Sequence, residues 1–258
     1  MISSVGDLSA AKTGQLQNAA VVGASQPMSF PRELNRAVPV PVPVLSKSFP
    51  VATMAQLEEL ERTQYYTSRS VLFHQGERPA GVFVLKRGSV KLSMSSSKGR
   101  VVILRIAAAG EVLGLSSLIS GDPCIATAEA LEECEVGYLE RDLFLQFLFK
   151  NPEAAMSVAY QVCANYKTAC RQVSLLGLCR SASERLALFL LHWSTPRSFR
   201  EAPPAWPGLT HEEISQIAGT TRETVTRTLM DFRKKGWASL ASSKLVIQDR
   251  QAMEKLVA

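Results

Sequence analysis

The stretch from Leu209 to Lys235 constrains the fold most, because its apolar residues recur at helical spacing on both sides of one glycine. Six positions carry this pattern, three in each of two helices: Ile214, Ile217, Ala218, Val225, Leu229 and Phe232. Gly219 suits a left-handed turn between the helices, and Thr210 and Thr221 can cap them. Glu213, three residues after Thr210, completes a capping box. The stretch therefore predicts two short helices joined by a tight turn.

The second helix keeps a polar outer face that is typical of a helix that reads DNA. Four residues form this face: Arg222, Glu223, Thr226 and Arg227. An arginine can bind guanine O6 and N7 through two hydrogen bonds, and a glutamate can accept one from cytosine N4. Arg233, Lys234 and Lys235 follow at the helix end, where cations suit phosphates. A turn at Gly236–Ala238 and a strand-like segment over Lys244–Ile247 would complete a winged helix. The alternative is an amphipathic helical hairpin with a solvated charged face.

Residues 70–139 consist of short strand-like segments separated by glycines and polar turns. The segments are Ser70–Phe73, Gly81–Leu85, Ser89–Met94, Val101–Ile106, Ile125–Ala130 and Glu135–Leu139. Such regular spacing predicts an antiparallel double-stranded β-helix, a jelly-roll barrel. A short helix is expected before it, over Gln56–Arg62. With the helices downstream, we expect an α+β fold.

A helical period follows, with a short helix over Asp142–Phe149 and a long one over Glu153–Leu178 that Gly177 breaks. Seven residues of the long helix alternate in steps of four and three: Ala155, Ala159, Val162, Tyr166, Ala169, Val173 and Leu176. This seam predicts a parallel coiled-coil dimer, although the same stripe could pack on the chain's own barrel. Cys163 and Cys170 lie beside the seam. We expect them to be buried apolar thiols, with an intersubunit redox pair as the alternative.

Two further elements connect this helix to the DNA-reading stretch. An amphipathic helix is expected over Ser183–Trp193, capped by Ser181 or Ser183. The Pro- and Arg-rich residues over 194–208 predict an irregular loop.

Composition narrows the class of protein. The net charge of +6 and the pI near 9.2 favour polyanionic partners, and 258 residues suffice for two domains. No apolar run is long enough to span a bilayer and no signal peptide is evident, so we expect a cytoplasmic location and no membrane partner. The five cysteines form no CxxC pair and only three histidines occur, which gives a zinc or iron–sulfur site little support.

No enzyme motif is found along the chain. Nucleophile-elbow, phosphate-loop, metalloprotease and dinucleotide-binding patterns are missing. Glu77 and Glu111 fall in turns and are interpreted as solvated loop carboxylates. We therefore do not expect catalysis.

The order of barrel, long helix and winged helix-turn-helix resembles the CRP/FNR superfamily of bacterial transcription regulators. The resemblance runs from about Phe49 to the C-terminus, and its most specific residues lie at 71–77, 81–92, 110–114, 214–219 and 221–227. It implies a homodimer that reads a palindrome of two TGTGA-like half-sites in double-stranded DNA.

The resemblance also assigns residues. Three match the base-reading positions of the family's cyclic-AMP-responsive branch: Arg222, Glu223 and Arg227. Three others sit where relatives contact phosphates: Thr210, His211 and Thr221. The loop over 194–208 lies where some relatives touch RNA polymerase, which makes the polymerase an expected partner.

The sensing end departs from the cyclic-AMP pattern of that branch. The nucleotide-binding positions fall here on Gly114, Leu115, Cys124, Ile125, Ala169 and Cys170. Leu115 replaces the carboxylate that binds the ribose, and Cys124 and Ile125 replace the Arg-Ser pair that holds the phosphate. A buried phosphate without an arginine is strongly disfavoured, so we expect that cyclic AMP is not bound in the usual way. The effector is then an unknown small molecule or a redox signal.

The sequence limits which iron cofactor the protein could bind, but only in part. The iron–sulfur branch of the family needs an N-terminal cysteine cluster, and no cysteine precedes Cys124. His74 and Cys124 leave haem ligation open.

Four parts are expected along the chain: a disordered Pro/Ala-rich tail at 1–48, a cyclic-nucleotide-binding-like sensor barrel at 49–150, a dimerisation helix at 151–179 and a winged helix-turn-helix domain at 180–258. The main hypothesis is a homodimeric, sequence-specific transcription regulator. The alternative is a ligand-sensing or redox-sensing (haem or thiol) interaction module without sequence-specific DNA binding.

Overall fold

The computed structural model describes residues 51–194, 206, 208–241 and 244–257. The predicted tail at 1–48 and most of the predicted loop at 194–208 lie outside these residues. The N-terminal part contains α1 (Val51–Leu60), β1 (Arg62–Tyr66), β2 (Val71–Phe73), β3 (Gly81–Arg87), β4 (Ser89–Ser95), β5 (Val101–Ala108), β6 (Val112–Leu113), α2 (Leu115–Ser120), β7 (Thr127–Ala130) and β8 (Cys134–Glu140). The remaining elements are α3 (Arg141–Lys150), α4 (Pro152–Leu178), α5 (Ala182–Trp193), α6 (His211–Ala218), α7 (Arg222–Lys234), β9 (Ala238–Ala241), β10 (Lys244–Ile247) and α8 (Arg250–Leu256).

The eight N-terminal strands form two four-stranded antiparallel sheets. Their strand orders are β1-β8-β3-β6 and β2-β7-β4-β5. Apolar side chains from both sheets meet between them, with Leu85, Val90 and Val136 fully buried. The two sheets fit a jelly-roll arrangement, and the predicted α+β fold is confirmed.

Several predicted boundaries in this part were wrong. The first helix runs over Val51–Leu60 rather than Gln56–Arg62, because Arg62 already pairs with Tyr138 as the first residue of β1. The strand predicted from Ile125 begins two residues later, at Thr127. Strands β1 and β6 and helix α2 had not been predicted. Short elements such as β6 have too few residues to show a period of their own.

One face of helix α4 packs against the other described elements of the chain. Pro152 begins it, as the missing N–H of proline allows. Its buried residues are Ala154, Ser157, Val158, Gln161, Thr168, Gln172 and Leu175. The helix ends at Leu178 as predicted, whereas the expectation that Gly177 breaks it was wrong, because Gly177 lies inside the helix. At Gln161 the side-chain amide donates to the Val112 carbonyl at 2.6 Å, which ties α4 to β6.

The C-terminal part folds as the predicted helix-turn-helix with a wing. Ser181 caps α5 and accepts a hydrogen bond from the backbone N–H of Glu184 at 3.1 Å. Strands β9 and β10 pair antiparallel as the wing, so Ala238 belongs to a strand rather than to the turn. Helix α8 had not been predicted.

A single apolar cluster joins the C-terminal helices to β5. Leu186, Ile214 and Phe232 belong to it together with Ile103 and Ile106 of β5, and all five are buried. The β4–β5 hairpin therefore forms the surface against which the helix-turn-helix packs.

Candidate nucleic-acid interface and central cavity

The turn between α6 and α7 has the predicted geometry. Gly219 ends α6 in the left-handed conformation, with φ 59° and ψ 44°. In the capping box, Thr210 Oγ1 accepts from the Glu213 N–H at 3.2 Å and the Glu213 carboxylate accepts from the Thr210 N–H at 2.9 Å. Thr221 Oγ1 accepts from the Thr224 N–H at 3.2 Å. These caps satisfy backbone donors at the start of each helix and define where α6 and α7 begin.

The predicted reading face lies open on the first turns of α7. Arg222, Glu223 and Arg227 are exposed, and Thr226 is half-buried. The Thr226 hydroxyl donates to the Arg222 carbonyl at 3.0 Å, and His211 Nδ1 lies 2.8 Å from the same hydroxyl. On the inner side of α7, Val225 and Phe232 are buried as predicted, together with the polar Thr228.

A groove of about 700 Å³ runs along this face. It is lined by Ser183, Arg222, Glu223, Thr226, Arg227, Thr228, Met230, Asp231 and Lys234. Ser183, which stands near the N-terminus of α5, had been considered only as a helix cap. Its place beside α7 depends on how two helices pack, which the local sequence does not encode.

Glu223 is an acceptor at neutral pH. Hydrogen bonds from its own backbone N–H and from the Thr221 hydroxyl lower the pKa of its carboxyl group below the ordinary value, and the charge of Arg222 acts in the same direction. An ionised carboxylate can only accept hydrogen bonds, as contact with a cytosine amino group requires.

The basic residues at the end of α7 differ in how available their charged groups are for binding phosphate. Arg233 and Lys234 are exposed. The Lys235 ammonium pairs with Asp231 at 2.8 Å and lies 4.7 Å from the centre of the Trp237 ring. Because its Nζ already has these partners, Lys235 is the least available of the three predicted phosphate-binding residues.

Five of the six predicted effector-binding residues line one cavity of about 140 Å³, here called the central cavity. It is bounded by Phe73, Leu92, Leu104, Arg105, Val112, Gly114, Leu115, Ser116, Ser117, Cys124, Ile125, Ala126, Asn165, Thr168 and Ala169. Cys170, the sixth predicted residue, is not among them and is exposed. The cavity has about the volume that accommodates one benzene-sized molecule.

The expectation that no arginine lines this site was wrong. Arg105 of β5 reaches the central cavity, where its guanidinium pairs with the carboxylate of Glu111. Glu111 is 3% exposed and also accepts from the Ala108 N–H at 3.0 Å, so its interpretation as a solvated loop carboxylate was wrong. Arg105 was not predicted here, because it lies on β5, far along the chain from Cys124 and Ile125, where the resemblance places the Arg-Ser pair.

Family models match both halves of the chain. Residues 63–151 match the cyclic nucleotide-binding domain, and residues 184–256 match the Crp-like helix-turn-helix domain. The cAMP-activated global transcriptional regulator CRP of Pasteurella multocida is 30% identical over 166 residues, which cover 64% of this chain and 79% of that protein. The regulator of the same name from Salmonella typhimurium is 27% identical over 184 residues, covering 70% of this chain and 87% of that protein. This chain belongs to the CRP/FNR superfamily.

Solved structures share the fold of this chain. FixK2 from Bradyrhizobium japonicum is similar with a TM-score of 0.65 and 25% identity, covering 77% of this chain and 98% of FixK2. A CooA mutant from Carboxydothermus hydrogenoformans, 24% identical over 79% of this chain and 90% of CooA, shares the fold with a TM-score of 0.65.

As a CRP/FNR-family member the chain is a DNA-binding transcription regulator with a nucleotide-binding-like domain, and its relatives are regulators rather than enzymes. No helix in the part of the chain that the structure describes is both long and apolar enough to cross a membrane.

Most of the predicted seam of this CRP/FNR-family chain faces away from its own sheets, although Ala169 also lines the central cavity. Tyr166 and Val173 are each 71% exposed, and Ala159, Val162 and Ala169 are also exposed. The two end positions of the seam, Ala155 and Leu176, are half-buried. The stripe that packs on the chain's own sheets is therefore a different one, displaced by one residue along α4.

The cysteines fall into two groups. Cys163 and Cys170 are exposed within the chain, so the expectation that they are buried was wrong for a single subunit. Cys124 and Cys134 are buried, and burial raises the pKa of both thiols, which keeps them protonated. His74 is exposed, and no cluster of three metal-binding side chains occurs among the described residues.

Proposed function

We propose that this regulator binds DNA as a homodimer, with one α7 helix in each half-site of a TGTGA-like palindrome. The observation that carries the proposal is the joint exposure of Arg222, Glu223 and Arg227 beside an open groove. Arg222 and Arg227 would each bind a guanine through a bidentate contact, and Glu223 would accept from a cytosine amino group.

Other residues of the interface would position the protein on the DNA backbone. The phosphate contacts would come from Thr210, His211, Thr221, Arg233, Lys234 and Lys235, with Thr226 orienting the reading face. Such contacts fix register without reading sequence, and they make affinity dependent on salt.

The homodimer is supported by the exposed stripe of α4. A 27-residue helix that leaves Tyr166, Val173 and Val162 exposed has an apolar face with no apolar partner among the residues that the structure describes. Pairing two such stripes would bury them and place the two α7 helices about one DNA turn apart. We assign residues 151–179 to this dimer contact and residues 180–258 to DNA binding.

Residues 49–150 would carry the signal input through the central cavity. A cavity of about 140 Å³ is small beside ordinary ligand pockets, and its one arginine is already paired with Glu111. These features support an effector other than conventionally bound cyclic AMP. RNA polymerase is the expected protein partner.

Fluorescence anisotropy would test the proposal with three duplexes: a TGTGA palindrome, a single half-site and a scrambled duplex, each at two salt concentrations. Specific affinities in such systems exceed non-specific ones by about 10³-fold or more. We expect the wild-type protein to prefer the palindrome, with affinity for every duplex falling as salt rises. Equal affinity for palindrome and scrambled duplex would instead favour the interaction module without sequence-specific DNA binding.

A further inference from the structure

Lys91 of β4 contacts carboxylates from both parts of the chain. Its ammonium lies 2.9 Å from Glu129 of β7 and 3.1 Å from Glu213 of α6. The side chains of Lys91 and Glu213 are only 10% and 11% exposed. Lys91 therefore forms an enclosed ion pair between the N-terminal sheets and the helix-turn-helix.

The carboxylate that Lys91 contacts also organises the start of α6. Glu213 Oε1 faces Lys91, while Oε2 accepts from the backbone N–H and the hydroxyl of Thr210, both at 2.9 Å. His211, the residue after Thr210, contacts Thr226 on the reading face of α7. A continuous set of polar contacts thus runs from β4 through the first turn of α6 to α7.

The other end of α6 is held as well. The Gln172 side-chain amide of α4 donates to the Ile217 carbonyl at 2.8 Å and to the Ile103 carbonyl of β5 at 3.2 Å. Two attachments at opposite ends of a helix fix its orientation as well as its distance. The β4–β5 hairpin and α4 together set the direction in which α7 points.

The same hairpin forms a wall of the central cavity. Leu92 and Arg105, which pair in register, both line the cavity, whereas the neighbouring pair of Lys91 and Ile106 lies against the C-terminal helices. Adjacent positions of one hairpin therefore meet the cavity and the DNA-binding part.

We propose that Lys91 is a positioning residue for DNA recognition, which holds the two α7 helices of a dimer in the orientation needed to occupy both half-sites together. The inference rests on the proposed dimeric function. Loss of the contact leaves each α7 intact and still attached through Gln172 and the apolar cluster with β5, but it loosens the orientation of each DNA-binding part. The effective concentration for the second half-site then falls, because more ordering is required on binding.

The test uses the full-length protein with Lys91→Met, Lys91→Arg and Glu129→Gln. Glu129→Gln is the matched control, since it removes a charged partner of Lys91 within the sheets and leaves the contact with Glu213. Anisotropy would be measured on the palindrome and on a single half-site, alongside melting temperature. We expect Lys91→Met to weaken palindrome binding about tenfold and half-site binding by less than about twofold. Lys91→Arg, which keeps the charge, should restore palindrome binding.

A purely structural role would lower both affinities equally, and that result would overturn the proposal. Unchanged or tighter palindrome binding by Lys91→Met would also overturn it. Lys91→Met leaves the charge of Glu129 without its partner, which can impair folding. In that case the double variant Lys91→Met/Glu129→Gln is used instead, because it removes the Glu129 charge as well. If the wild-type protein shows no preference for the palindrome, the proposed function is refuted. If the wild-type protein prefers the palindrome and Lys91→Met keeps that preference, only the positioning role is refuted.

Discussion

His211 Nδ1 lies 2.8 Å from the hydroxyl oxygen of Thr226, and this contact joins the first turn of α6 to the reading face of α7. The same hydroxyl donates to the Arg222 carbonyl, so it is held from both sides. His211, which is also proposed to face a phosphate, thus lies beside the base-reading residues without itself being assigned to a base.

His211→Ala should weaken binding to every duplex by a similar factor, because phosphate contacts carry no sequence information. Arg222→Ala should instead cost about 1–3 kcal/mol at one base pair and relax specificity there. Anisotropy on a set of single-base variants of the half-site would separate the two effects. Ser97→Ala, on an exposed residue between β4 and β5, is the control and should bind as wild type. Equal loss from Arg222→Ala on all sequences would contradict the base-reading assignment.

Tyr166→Glu should convert the dimer to monomers, because two charges would meet in the proposed seam. Tyr166 is 71% exposed within the chain, so the monomer itself should keep its fold. Tyr65→Glu is a matched control, since Tyr65 is 73% exposed on β1, away from the seam. Light scattering after size exclusion would give the masses. A dimeric Tyr166→Glu protein would count against this seam.

Acid should destabilise the fold through His192. Burial, with the charges of Arg171 and Arg250, lowers the pKa of His192 to about 4 from an ordinary value of 6.5. The unfolded chain then binds the proton first, so stability is greatest above pH 6.5 and falls as the pH drops toward 4. The full effect is about 3 kcal/mol. Urea unfolding at several pH values should show a shallower decline for His192→Leu than for wild type, and parallel declines would remove His192 as the cause.

Two glycines should respond in opposite directions to alanine. Gly177 is an exposed residue inside α4, and a Cβ there meets no atom within 4 Å, so Gly177→Ala should stabilise by about 0.5–1 kcal/mol. Gly219 has φ 59°, and a Cβ there would lie 2.6 Å from Leu176 Cδ2. Gly219→Ala should therefore destabilise by about 1–2 kcal/mol. Chemical denaturation measures both changes, and shifts of the same sign would conflict with this account.

Cyclic AMP at about 1 mM should leave the melting temperature unchanged, since a ligand that binds weakly adds little to stability. The physical reason is that Leu115 cannot bind the ribose and Arg105 is already paired with Glu111. Differential scanning fluorimetry with and without the nucleotide provides the measurement. A concentration-dependent rise in melting temperature would show that the nucleotide binds the folded protein and would contradict this prediction.

Local patterns predicted the DNA-binding part well. Thr210, Glu213, Gly219 and Thr221 were each assigned the roles that the structure confirms, because caps and turns depend on residues within four positions of each other. The exposed reading face followed from helical period alone. Arg105 and Ser183 were missed, since each reaches its site from an element that is distant in sequence.

The sequence by itself determined the helix-turn-helix, the strand-rich N-terminal part and the long helix with its apolar stripe, because each shows an apolar spacing of two, three or four residues. That spacing left open whether the stripe packs on the chain's own sheets. Only the tertiary structure decided that Lys91 meets Glu213, 122 positions away, and that Arg105 meets the cavity which also receives Asn165 of α4. Such meetings depend on sheet register and on how α6 packs against the β4–β5 hairpin, and neither is encoded in any one stretch of the chain.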